Sequence, residues 1–120
     1  VHTQSGETYI TDAPIDNEGK GEGFSPTDIV ATALANCMLT IMGIVSNRKG
    51  LVIEGTKAKI NKSMGTEPRR ITEIKIDFYF PVNFSNDERK LLEKAAINCP
   101  VSKSLSSDLR QNVRFHYPSS

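Results

Sequence analysis

The chain has 120 residues, 38% of them hydrophobic and 24% charged, with a net charge of +1. That length suits one domain with a real core, and the charge balance excludes the electrostatic footprint of nucleic-acid binding or attraction to an anionic membrane. No basic segment leads into an apolar run at the start, so a cytoplasmic setting is expected, where cysteines are commonly reduced or reactive rather than structural staples.

In chain order, "GETYITDAP" from Gly6 to Pro14 reads as a short strand, and "DNEGKGEG" as a loop leading into a long helix. The helix is marked at both ends. Ser25 is placed to cap it, Pro26 fits its first position, and Asp28 completes a box-like S-P-T-D start. Asn47 to Gly50 supplies the stop, with Arg48 and Lys49 at the negative end of the dipole.

Between these ends, Ile29 to Val45 is a run of about 17 mostly apolar residues, at the lower edge for crossing a bilayer. Thr32, Asn36 and Thr40 recur at i, i+4, i+8 and draw one narrow polar stripe along it. A helix buried inside a protein or at a subunit interface fits this pattern better than a membrane span. A chain this short has little else to cover such a helix, which points to a homodimer.

The rest alternates in type. "LVIEGTKAKINK" (Leu51–Lys62) and "RITEIKIDFYFPV" read as two strands of a hairpin; in the second, Ile74, Ile76, Phe78 and Phe80 share one face. Ser85 followed by Glu88 is a capping box opening a helix to about Asn98. Cys99-Pro100 opens a short third helix to about Ser106, and "NVRFHY" reads as a closing strand. This order gives an α+β domain with a largely antiparallel sheet.

Two cysteines carry the chemistry on offer. Cys37 lies near the middle of the long helix, in one row with Ile29, Ala33 and Ile41; among such neighbours a cysteine is often an inert small hydrophobe. Cys99 precedes Pro100 at a helix start, where free N–H groups favour a thiolate; a capping thiol without catalysis fits equally. With His2 and His116 the cysteines show none of the short paired spacings of a metal site, so no metal is expected.

The combination of "FSPTDIVATALANC" and "CPVSKSL", about sixty residues apart with a strand pair between, resembles the OsmC/Ohr family of thiol-dependent peroxidases, and its smaller S-P-T-D branch in particular. The resemblance runs from about Ser5 to Tyr117. It implies a single OsmC-like domain over residues 1–120, with a short strand of that fold upstream of residue 1. It further implies antiparallel sheets packed on a long central helix, and an intertwined homodimer with two active sites at its interface.

By the same resemblance Cys37 is the peroxidatic cysteine and Cys99 the resolving one, in an antioxidant, stress-response role. The substrate would be an organic hydroperoxide and the reductant an external dithiol, with no cofactor, metal, nucleic acid or membrane involved. Leu34, Met38 and Ile41 are candidate walls for an alkyl chain. The family's carboxylate ten residues before the first cysteine falls on Thr27, with Asp28 next to it, so these two are candidate supporting residues. The family's partner arginine comes from an N-terminal strand, whereas the first arginine here is Arg48. The alternative is a non-catalytic dimer of the same fold that binds a small apolar ligand or senses redox state.

Overall fold

The computed structural model describes residues 1–119, which divide into residues 1–30 and a larger unit from Ala31 onward. In the first unit the expected strand over Gly6–Pro14 is absent; those residues form no regular secondary structure. A strand needs a neighbour for its ladder, and here single contacts stand in for one. The Asp12 N–H donates to the Phe24 carbonyl (2.9 Å), and the Glu22 N–H to Asp12 Oδ2 (3.2 Å). Tyr9 and Ile10 remain 76% and 93% exposed, which leaves this segment with almost no burial of its own.

Helix α1 spans Pro26–Lys49, between the ends marked by its capping residues. At its start the Asp28 N–H donates to Ser25 Oγ (3.1 Å) and the Ser25 N–H to Asp28 Oδ2 (3.0 Å), a capping box with aspartate in place of glutamate. At its end Gly50 takes φ +70°, and the Leu51 N–H returns to the Ser46 carbonyl at 2.8 Å.

Strand β1 (Lys57–Gly65) pairs antiparallel with β2 (Arg70–Tyr79), with Ile60 opposite Ile76 and Ala58 opposite Phe78. β1 starts later than its hydrophobic pattern suggests. Gly55 at φ +90° turns the chain, and Thr56 closes the turn with its N–H and Oγ1 on the Ile53 carbonyl. After β2 come α2 (Asn86–Ile97) and α3 (Pro100–Ser104), then β3 (Arg110–His116). The sheet order is β1-β2-β3.

β3 runs parallel to β2, with Ile76 opposite Val113 and Phe78 opposite Phe115. The sheet is therefore mixed rather than largely antiparallel, because the two helices between β2 and β3 carry the chain back to the end where β2 began. The α+β class stands.

Within the larger unit the core is one cluster. Ala31, Leu34, Ala35, Met38 and Met42 from α1 meet Ile74, Ile76 and Phe78 from β2, joined by Phe80, Leu92, Ala96 and Cys99. The α1 members follow the i, i+3/i+4 rhythm of one helix face, and the β2 members the two-residue rhythm of one sheet face. Each large apolar side chain buried here contributes about 1.5–3 kcal/mol. α1 is long and apolar enough to cross a bilayer by length and composition, but this face is spent on the sheet, and we read α1 as a core helix.

The other sheet face carries a polar set. Asp77 accepts from Arg114 Nε (2.9 Å) and Nη2 (3.3 Å) and lies 2.8 Å from His116 Nε2, while the His116 ring stacks on Tyr79 at 4.7 Å. His116 first, then Arg114, holds the Asp77 carboxyl below its usual range.

Candidate active site

Cys37 sits at the midpoint of α1 because the two caps of that helix fix its length, and its row (Ala33, Cys37, Ile41) borders the buried face instead of lying within it. Cys99 sits at the N-cap of α3, where its φ and ψ of −67° and 149° end α2's short linker and admit Pro100 as the first helical residue. The fold brings the two together: Cys37 packs against the core cluster that contains Cys99, and its thiol is near enough to act on the Cys99 thiol. Both are free thiols.

Their environments differ. Cys99 is fully buried, at 0% exposure, whereas Cys37 is only half-buried. A reagent arriving from solvent therefore meets Cys37 first. Burial pushes the Cys99 thiol up, and the nearby Cys37 adds to this; the Ser102 N–H, donating to Cys99 Sγ at 3.4 Å, works the other way. The helix start alone predicts a lowered Cys99 pKa. Desolvation outweighs it, since a five-residue helix offers little to set against a sulfur stripped of water.

Of the three apolar residues expected to wall a substrate, Leu34 and Met38 are 0% and 1% exposed. Their surface is already consumed by the core, so within one chain they offer nothing to an alkyl group. Ile41 is half-buried and keeps open surface one turn from Cys37. Thr27 and Asp28 serve the helix start: Asp28 is the capping carboxylate, and Thr27 Oγ1 lies 3.1 Å from Ser25 Oγ.

The family model for OsmC-like proteins matches residues 19–113, a span that includes both cysteines. The chain belongs to the OsmC-like family. Its fold has a near twin in the crystal structure of a Psychrobacter arcticus protein whose name assigns it to osmotic stress induction and the detoxification response. The two share 46% identity and a TM-score of 0.92 over 97% of this chain and 85% of that one. The OsmC organic hydroperoxide resistance protein of Legionella pneumophila shares the fold at 18% identity, with a TM-score of 0.70 over 87% of this chain and 77% of that one. An organic hydroperoxide resistance protein from Elizabethkingia anophelis does so at 15% identity, with a TM-score of 0.71 over 88% and 78%. No curated protein sequence matches the chain.

Two polar residues of this OsmC-like site escape a reading of the sequence alone. Ser102 follows Cys99 by three positions, the place whose N–H an N-cap side chain ordinarily receives, and that spacing was a usable signal. Gln111 lies on β3 and reaches Ser102 only through the folded chain, so no local pattern marks it. Among the described residues no group of three or more His, Cys, Asp or Glu side chains is placed to hold a metal ion.

Proposed function

We propose that this OsmC-like protein is a thiol-dependent peroxidase that reduces organic hydroperoxides through a two-cysteine cycle. The observation that carries the reading is the placement of two reduced cysteines of unequal exposure in and against one core cluster, one reachable and one enclosed. The names of the Legionella and Elizabethkingia proteins, which refer to organic hydroperoxide resistance, support the same substrate class.

The Cys37 thiolate attacks the terminal oxygen of the hydroperoxide. An S–O bond forms, the O–O bond breaks, and the departing alkoxide takes a proton and leaves as an alcohol. Cys37 is then a sulfenic acid. The Cys99 thiolate attacks that sulfur; an S–S bond forms and the hydroxyl leaves as water, carrying the proton Cys99 gave up. An external dithiol returns two electrons and two protons and restores both thiols. Ile41 is the apolar neighbour with surface left for the alkyl part of the substrate.

The working unit of this reading is a cytoplasmic homodimer of single OsmC-like domains. Supporting the dimer, Ile44 is 44% exposed on α1, and the half-buried Ala33–Cys37–Ile41 row lies uncovered along the same helix. A second reading, ligand binding or redox sensing without efficient turnover, is favoured by Thr27, whose hydroxyl lies against that of the capping Ser25 where the family resemblance calls for a carboxylate. Consumption of cumene hydroperoxide with a dithiol present separates them. The peroxidase reading expects turnover by the wild type and its loss in Cys37→Ser. A wild type that neither consumes hydroperoxide nor yields a dimedone-trapped sulfenic acid at Cys37 overturns it.

A further inference from the structure

We infer that Gln111, acting through Ser102, is a positioning residue that fixes Cys99 for its attack on Cys37. The inference rests on the two-cysteine reading and adds to it a part that neither cysteine supplies.

α3 has five residues, too few to hold a helical conformation alone. At its start the Lys103 N–H donates to the Cys99 carbonyl (3.2 Å), and Ser104 Oγ donates to the Pro100 carbonyl (2.8 Å). Cys99, Val101 and Leu105 pack it against the core, and a reciprocal polar pair joins it to the sheet. Ser102 Oγ donates to Gln111 Oε1 at 2.5 Å, and Gln111 Nε2 donates to the Ser102 carbonyl at 3.1 Å. A primary amide suits this, since it offers an acceptor and a donor side by side.

Gln111 is itself held in register, opposite the fully buried Ile74 of β2. With its hydroxyl and its carbonyl both engaged by one side chain, Ser102 has a fixed orientation. Its third polar group, the backbone N–H, then points at Cys99 Sγ. The chain of contact runs from the sheet to Gln111, to Ser102, to the sulfur. Leucine at position 111 would fill similar volume while abolishing both hydrogen bonds. A misplacement of about 1 Å can cost about 10²-fold at a reacting group, so a smaller loss of alignment at Cys99 should slow ring closure by about tenfold.

The test needs no peroxide. 5,5′-Dithiobis(2-nitrobenzoate) reacts first with the accessible Cys37, releasing one thionitrobenzoate; Cys99 then attacks the mixed disulfide and releases the second. In Gln111→Leu the first release should keep its wild-type rate and the second should slow about tenfold. Gln111→Glu, which keeps the acceptor and loses the donor, should fall between. Cys99→Ser gives the one-release baseline. Ser102→Ala, which removes only a hydroxyl, should also slow the second release and stands in if Gln111→Leu does not fold. Second releases at the wild-type rate in the folded variants overturn the inference and leave the peroxidase reading intact. A wild type that stops after one release overturns the two-cysteine reading, and this inference with it.

Discussion

Met38 and Ile41 lie almost one helix turn apart beside Cys37, yet truncating them should have opposite consequences. Met38 is 1% exposed and embedded among Leu34, Met42 and the β2 side chains. Met38→Ala removes a fully buried side chain and leaves a cavity, at a cost of about 2–5 kcal/mol. For a chain of 120 residues, the entropy of unfolding near the midpoint is about 0.25 kcal/mol/K, so the Tm should fall by about 8–20 °C. Ile41 is half-buried, so Ile41→Ala should cost about half as much or less. If Ile41 lines the path of the alkyl group, its truncation should instead raise KM for cumene hydroperoxide several-fold at nearly constant kcat, as loss of one apolar contact does. Thermal melts at matched protein concentration, alongside initial rates with cumene and hydrogen peroxides, read both effects. A Met38→Ala protein that melts within about 2 °C of wild type but has a raised KM would refute the reasoning, since it would place Met38 at the substrate and outside the core.

Ser85→Ala deletes the hydroxyl that accepts from the Glu88 N–H at 3.2 Å, so α2 should lose about 1 kcal/mol, read as a Tm drop of about 4 °C; an unchanged melt would mean that this cap contributes nothing. Asp77 has a depressed native pKa, so its contribution is present at neutral pH and is lost as pH falls below about 4 through that lowered value. Asp77→Asn should accordingly melt below wild type at pH 7, with the gap closing under acid; a gap independent of pH would show that the carboxylate's charge is not what Arg114 and His116 respond to. Sedimentation at low micromolar concentration should return a dimer, and a clean monomer would remove the interface site from the proposed mechanism.

Where a feature depends on neighbours in sequence, the sequence announces it. Ser25-Pro26, Gly50, the Ser85/Glu88 box and Cys99-Pro100 are each local solutions to unsatisfied helix ends, and the structure uses all of them. Features that depend on distant partners were not legible in the same way. Nothing in "NVRFHY" reports that it will lie parallel to β2, since direction follows from the whole length of the crossover. Leu34 and Met38 carry the same apolar signal as Ile41, and only packing against Ile74, Ile76 and Phe78 divides the fully buried residues from the half-buried one. Asp77 reads as an ordinary outward residue, yet it is 5% exposed because Arg114 and His116 arrive from β3 to cover it.

The crossover between β2 and β3 has a consequence for the order of events in a newly made chain. Cys37 and Cys99 are 62 positions apart (99 − 37), and Cys99 lies within the segment that must swing back before β3 can dock. Contacts of such sequence separation form late, after local helices and the β1–β2 hairpin. Until then the two thiols are strangers, and an oxidant met during synthesis finds two independent cysteines. On the two-cysteine reading proposed above, reversible thiol chemistry would be a property the molecule acquires with its last strand, and closure of the disulfide would report that folding is complete.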